Sequence, residues 1–329
     1  MRWRGALKFR DLKKSLAENL QAVYLIEGED AFLRENALRL IKERGLQEPD
    51  LNLTNLSGQE IKQDPELFLT AVQSYPFMSD KRYVVVRDYN PSATELKSKV
   101  IKRVFQEPID TAVIVIVNSE KCEALKKLEF VTVVDCNKAD APLITSFIRN
   151  KALKSGVVVS DGAINCLLEY CSMDLTRINS EVEKLLSFVG DNAEISKEHV
   201  ELLVNKDTDF EVYEFTEAVA TKNFDKSFEI LSELAQKSQD KQRLFISIYY
   251  HFRRLFHACL SKGTIKELAE SLGVKEFVAK KSREQASKFK AKRLKQICDK
   301  LSYYDGAFKS GEISVDTALF NSVLSAMME

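Results

Sequence analysis

The chain has 329 residues, with 49 lysines and arginines balancing 49 aspartates and glutamates, 45% apolar residues, and only 11 glycines and 6 prolines. This length implies two or three domains with sizeable cores, and 30% charge with little glycine or proline describes a helix-rich protein without long disordered arms. No apolar run approaches the ~18 residues of a membrane span, and Met1-Arg-Trp-Arg-Gly5 leads into no apolar signal core, so a protein made and kept inside the cell is expected.

Residues 1–140 read as alternating strands and helices. Apolar, β-branched runs recur at Ala22–Ile26, Leu51–Leu56, Tyr83–Val86, Ala112–Val117 and Val131–Val134, with helix-period stretches between most of them. That alternation predicts a parallel sheet covered by helices. Ala112–Val117 is apolar throughout and should be its central, doubly covered strand.

The first of these strands runs into a Gly28 turn and then an amphipathic helix with Phe32, Leu33, Leu38 and Ile41 on its apolar face. In a nucleotide-binding α/β domain such a turn is a glycine-rich phosphate loop ending in Gly-Lys-Ser/Thr, whose N–H groups and lysine hold phosphates and whose hydroxyl holds Mg²⁺. Here it offers Glu27, Glu29 and Asp30, one glycine, no lysine and no hydroxyl, and three carboxylates repel a triphosphate. Asp88 ends the strand Tyr83–Asp88 where ATPases carry an acidic pair, but Tyr89 follows it; a turn residue or helix cap is the plainer role. Asn118 ends the next apolar strand, where ATPases keep a polar γ-phosphate sensor. These positions form a degenerate nucleotide site, expected not to bind.

Between those strands, Pro65–Ser74 reads as a helix that Pro76 forces to end. Gln73, Tyr75, Pro76, Phe77 and Met78 then crowd a turn ahead of Lys81-Arg82. An exposed knob of this kind is a partner anchor; a buried one caps the core. Local sequence leaves both open.

Past Pro142 no convincing strand appears, Val157–Val159 being short and ambiguous. Residues 142–154, 161–171, 174–189 and 196–204 read as short helices, with Asp174 and Ser196 as starts. The polar stretch 205–210 marks a second boundary, and from Glu211 the pattern is helical with breaks at Gly263, Gly273, Gly306 and Gly311. The organisation is thus an α/β module (1–140), a small helical module (141–209) and a longer all-helical module (210–329). Residues 191–240 hold 13 acids against 5 lysines, whereas residues 274–309 hold 11 Lys/Arg against 4 acids. The basic stretch, with Lys288, Lys292, Arg293 and Lys295, either tracks a phosphate backbone or is a solvated helix face. Tyr249, Tyr250, Phe252 and Phe256 with Arg253 and Arg254 read as a core stripe with snorkelling arginines.

Metal and triad chemistry have no support in spacing. The six cysteines include no C-x-x-C pair, and Cys166 and Cys171 lie five apart with no histidine near, so buried reduced thiols are expected rather than zinc. His251 and His257 fall on different faces of one helix, and with His199 they form no constellation.

Four passages, in order along the whole chain, give a resemblance. Val23-Tyr-Leu-Ile-Glu-Gly-Glu-Asp30, Tyr75-Pro-Phe-Met-Ser-Asp-Lys-Arg-Tyr-Val-Val-Val86, Asp174-Leu-Thr-Arg-Ile-Asn-Ser-Glu-Val-Glu-Lys-Leu-Leu186 and Asp305-Gly-Ala-Phe-Lys-Ser-Gly-Glu312 resemble the delta subunits of the bacterial DNA polymerase III clamp loader. The resemblance implies an AAA+-like (P-loop NTPase-type) domain with a five-stranded sheet and degenerate phosphate loop, a small helical lid and a C-terminal helical collar. It implies no cofactor and no ATP hydrolysis, and no Ser-Arg-Cys trio is present to supply an arginine finger.

The same resemblance implies an accessory subunit of a DNA-directed DNA polymerase, a nucleotidyltransferase by membership of the complex. Its partners would be the sliding clamp (beta), the motor subunits (gamma/tau) and delta-prime in a hetero-pentamer, and primer-template DNA through the complex, in the cytoplasm at a nucleoid-associated replisome. The clamp contact falls on Gln73 and Tyr75–Met78, which also resemble the clamp-binding pentapeptide, with Pro76 where leucine is usual. Two other readings stand beside clamp opening: a degenerate AAA+-like subunit that mainly binds DNA, and an active nucleotide hydrolase with an unusual phosphate loop.

Overall fold

A computed structural model describes residues 6–106, 110–137, 139–190, 193–237 and 240–328. The chain divides into two compact units, residues 1–139 and 140–329.

The first unit runs β1 (Leu7–Lys8), α1 (Phe9–Glu18), β2 (Val23–Glu27), α2 (Ala31–Glu43), α3 (Pro49–Asn52), β3 (Leu53–Ser57), α4 (Gly58–Gln63), α5 (Pro65–Gln73), β4 (Arg82–Arg87), α6 (Lys99–Gln106), β5 (Ala112–Asn118), α7 (Glu123–Lys126) and β6 (Val131–Asp135). Its strands form one parallel sheet in the order β1-β6-β2-β5-β4-β3. β5 is buried along its whole length, as its unbroken apolar run predicts. Strand alternation sends Val23, Leu25, Val84, Val86, Ile114 and Ile116 to one face, against Phe68, Leu69 and Val72 of α5 and Ile101, Val104 and Phe105 of α6. The alternate residues Tyr24, Ile26, Tyr83, Val85, Val113 and Val115 are buried too, and α1 and α2 pack on β6, β2 and β5.

Three expectations need correction. The sheet has six strands, not five: Leu7–Lys8 pairs with Val134 and Asp135 of β6 as an edge strand too short for any periodicity to reveal. The run expected as a strand from Leu51 begins at Leu53, because Pro49 opens the short helix α3 through Asn52. Gly306 does not break its helix but lies inside α17 (Ala291–Lys309), where a side chain would meet nothing within 4 Å.

The second unit begins α8 (Ala141–Lys154), β7 (Val158–Val159), α9 (Asp161–Tyr170), α10 (Leu175–Val189), β8 (Glu194–Ile195) and α11 (Lys197–Leu203). β7 and β8 make a parallel pair, so the ambiguous run Val157–Val159 does contain a short strand, and its partner Glu194–Ile195 is a second that the sequence did not suggest. Asp174 caps α10 by accepting from Arg177 N–H at 2.9 Å, and Ser196 N–H donates to His199 Nδ1 at 3.2 Å at the start of α11. Then follow α12 (Thr208–Ala220), α13 (Phe224–Lys237), α14 (Lys241–Leu260), α15 (Ile265–Leu272), α16 (Glu276–Ala286), α17 and α18 (Val315–Met328). Phe215, Phe245, Ile248, Phe252, Leu255, Leu294 and Leu301 anchor their common core. Phe252 lies in that core with Tyr249 and Phe256 against it, while Tyr250 is exposed. No helix among the described residues is long and apolar enough to cross a membrane.

Candidate functional site

In a parallel sheet, ligands bind beyond the carboxyl ends of the strands where the strand order reverses. Here that point is β2, flanked by β5 and β6, and Glu27, Asn118 and Asp135 share one register row at its end. The protein fills this place with its own groups. Glu27 is 5% exposed; Lys126 Nζ lies 2.7 Å from its Oε1 and Cys122 N–H donates to its Oε2 at 3.2 Å. Burial works against the Lys126 charge, yet hydrogen bonds to Glu27 and Glu123 hold its pKa above the ordinary value. Gly28 has φ +140°, and a Cβ there would sit 2.2 Å from the Cys136 carbonyl carbon. Arg34 donates to Gly28 O, and Asp30 N–H donates to Cys136 O at 3.1 Å.

The N-terminus of α2, which would receive a phosphate, is closed by the Asp30 carboxylate accepting from Leu33 N–H at 3.0 Å. Glu29 is exposed on the turn. The three carboxylates are therefore not one repulsive cluster: Glu27 is paired and Asp30 is a cap. Asp88 is an exposed turn residue at φ +53°, and its carbonyl oxygen packs where a Cβ on Gly58 would stand. Asn118 is 1% exposed and fully engaged: its Oδ1 accepts from Tyr89 N–H, and its Nδ2 donates to Tyr89 O and Asn90 Oδ1, each at 2.9 Å. It braces the loop after β4.

The apolar turn after α5 is exposed. Asp64 caps α5 at its start, accepting from Glu66 N–H at 3.1 Å, and Pro65 occupies its first turn. At the far end Ser74 leaves the helix, its Oγ donating to Thr70 O at 2.7 Å. Beyond it Tyr75 is 86%, Phe77 55% and Met78 83% exposed, with Gln73 exposed and Pro76 half-buried. Met78 adopts φ +48°, a left-handed conformation unusual for its side chain. The core-capping alternative does not describe these side chains. Phe77's backbone is pinned by Asn52, a fully buried residue of α3 that sequence reasoning passed over as part of a strand. No local signal marks a contact between residues 25 positions apart.

In the second unit, Lys288, Lys292 and Lys295 are exposed. Lys288 pairs with Glu217, and hydrogen bonding to that carboxylate raises its pKa. Arg293 turns inward instead: its guanidinium lies 5.3 Å from the Phe289 ring and donates to Val219 O at 3.4 Å. His251 is buried, with Nε2 2.8 Å from Gln285 Oε1, while His257 is exposed. Cys122, Cys136, Cys166 and Cys171 are buried free thiols, and Cys259 and Cys298 are partly so. Among the described residues no group of three or more His, Cys, Asp or Glu is placed to hold a metal.

Two family models match the chain. One, DNA polymerase III, delta subunit, matches residues 24–137; the other, DNA polymerase III delta subunit, C-terminal domain, matches residues 209–325. The chain belongs to the DNA polymerase III delta-subunit family. DNA polymerase III subunit delta of Bacillus subtilis is 24% identical over 321 residues, covering 92% of each chain. A probable DNA polymerase III subunit delta of Aquifex aeolicus is 23% identical over 230 residues, 65% of this chain and 64% of that one. Among solved structures, the Bacillus subtilis DNA clamp loader delta protein superposes with a TM-score of 0.71 at 20% identity, covering 98% of this chain and all of that one. That likeness carries the fold: a parallel-sheet unit followed by a predominantly helical one.

Proposed function

We propose that this chain binds and opens the sliding clamp (beta) for loading onto primed DNA, using Tyr75–Met78 as an apolar wedge, without hydrolysing ATP itself. The observation that carries this reading is the exposure of Tyr75, Phe77 and Met78 together at the end of α5. Large apolar side chains on a rigid turn are hot-spot chemistry. A wedge that binds the opened clamp better than the closed one shifts the clamp toward opening by the ratio of those affinities, and by no more. Pro76 fills less of a pocket than leucine, so Phe77 and Met78 carry the contact. Residues 141–209 would serve as the lid and 210–329 as the collar, seated with gamma/tau motor subunits and delta-prime in a cytoplasmic replisome.

Silence toward nucleotide is supported by occupancy. Asp30 already takes up the Leu33 N–H at the start of α2, and Arg34, Lys126 and Asn118, donors that a phosphate could use, are engaged by Gly28 O, Glu27 and Tyr89 O. A second role, facing primer-template DNA, is supported by the start of α17, where Lys290 and Lys292 precede any acid. Cations at a helix N-terminus oppose its dipole by ~0.3–1 kcal/mol each, a placement that a phosphate would turn favourable.

The test is surface plasmon resonance of the purified chain on its cognate clamp, wild type beside Phe77→Ala. Losing a buried phenyl ring removes about 2 kcal/mol, so affinity should fall about 30-fold. Unchanged binding would move the contact elsewhere. Saturable micromolar ATP binding would overturn the silence of the Gly28 turn.

A further inference from the structure

We infer that Asn52 is a positioning residue that presents Phe77 to the clamp, an inference that rests on the wedge reading above. Asn52 is fully buried, yet its side-chain amide directs all three of its hydrogen bonds to chain segments other than its own helix. Oδ1 accepts from Phe77 N–H at 2.7 Å, and Nδ2 donates to Phe77 O at 2.9 Å and to Gln47 O at 2.9 Å. The two bonds to one residue imitate a rung of a β-ladder, so the amide fixes both peptide planes around Phe77. Pro76 fixes φ on one side of it. On the other, Met78 sits at φ +48°, a conformation that persists only when its surroundings over-determine it.

A buried amide with this many partners is a demanding device to keep beside a surface turn. The turn's own packing does not account for it, because the side chains it carries point to solvent. What it secures is the placement of Cα77, and with it the direction in which the half-exposed ring projects. A side chain held in its binding geometry loses less conformational freedom on association. Released from Asn52, the turn samples other conformations, and apparent affinity falls by the fraction of the competent one.

The experiment combines amide exchange with a double-mutant cycle in the full chain. In wild type the Phe77 N–H should exchange at least tenfold more slowly than an open-chain amide; unprotected exchange would overturn the inference without any variant. Asn52→Ala, and Asn52→Asp as a second variant that sets a carboxylate against two carbonyls, should bind the immobilised clamp about tenfold more weakly than wild type, with the far-UV spectrum retained. In a Phe77→Ala background the same changes should cost less than about twofold, since the ring they position is gone. An equal loss in both backgrounds, or wild-type affinity in Asn52→Ala while Phe77→Ala is weakened, would overturn this inference alone. Wild-type affinity in Phe77→Ala itself would remove the wedge and this inference with it.

Discussion

Acid should weaken the helical unit through one histidine. His251 on α14 is enclosed by Gln285 of α16, by Arg254 on its own helix and by the Tyr213 ring of α12, whose centroid is 6.3 Å away. Gln285 Nε2 donates to Tyr213 O at 3.0 Å and to Glu217 Oε2 at 3.3 Å, leaving Oε1 to accept from His251 Nε2–H. His251 Nδ1 faces Arg254 at 3.4 Å and is left without a proton. Burial first, and the neighbouring Arg254 charge second, push the imidazole pKa down to about 3, against the smaller opposing effect of Gln285. In the unfolded chain the ring titrates near ~6.5.

The folded pKa therefore lies below the unfolded one, so the unfolded state binds the extra proton. Stability from this group is complete above about pH 6.5 and declines from there down to about pH 3, where the folded ring takes up its own proton. The slope in that window is about 1.4 kcal/mol per pH unit, and from pH 7 to pH 5 the loss is about 2 kcal/mol. The chain has three histidines, so their ring resonances separate readily in a two-dimensional NMR titration. His251 should stay neutral at pH 5. In urea melts His251→Gln should lose about 2 kcal/mol less than wild type between those pH values, whatever its stability at pH 7. A wild-type ring that protonates near pH 6, or identical slopes in the two proteins, would refute the reasoning.

Gly28→Ala should destabilise the sheet unit by about 3 kcal/mol or more, because φ +140° is nearly closed to L side chains and the new Cβ would strike the Cys136 backbone; urea unfolding within about 0.5 kcal/mol of wild type would disprove it. Lys292→Glu with Lys295→Glu should lower the salt dependence of primer-template binding, by about 0.9 in log–log slope for each phosphate that a lysine no longer neutralises. An unchanged slope, followed by fluorescence anisotropy across a salt series, would exclude these lysines from the DNA path.

Local rules made much of the fold legible. Ala112–Val117 reads as central because an apolar run without a polar interruption needs cover on both faces, and Asp174 reads as a helix start because a cap acts within three residues of itself. What failed depends on distant partners. Leu7–Lys8 becomes a strand only beside Val134 and Asp135, and Glu194–Ile195 only beside the ambiguous run at Val158–Val159. The candidate sites divide the same way. The crowding of Tyr75, Phe77 and Met78 is visible in sequence, but whether they cap a core or face solvent depends on packing. Asn52 lies 25 residues from Phe77 and Glu27 99 from Lys126, spacings that carry no periodic signal. Glu27 also shows that a carboxylate in a turn cannot be counted as free charge until its partner is known.

The groups at the Gly28 turn bear on where a conformational signal can originate. In a nucleotide switch, N–H groups at a helix start are satisfied by phosphate, so losing the ligand leaves them unpaired and the loop rearranges. Here the Asp30 carboxylate accepts from the Leu33 N–H at the start of α2, while the donors Arg34, Lys126 and Asn118 are taken up by Gly28 O, the Glu27 carboxylate and Tyr89 O, and each bond forms within the sheet unit. A nucleotide would have to displace these internal partners before it could favour a second state of this unit. The turn Tyr75–Met78 is likewise tied within this unit, by the Asn52 amide bonding both to the N–H and to the carbonyl of Phe77. If the chain opens a clamp, the switching must therefore come from partners that move it as a body, either uncovering Tyr75–Met78 or covering them. Such a subunit would gain from rigidity at its contact, which is what the proposed role of the Asn52 amide would supply.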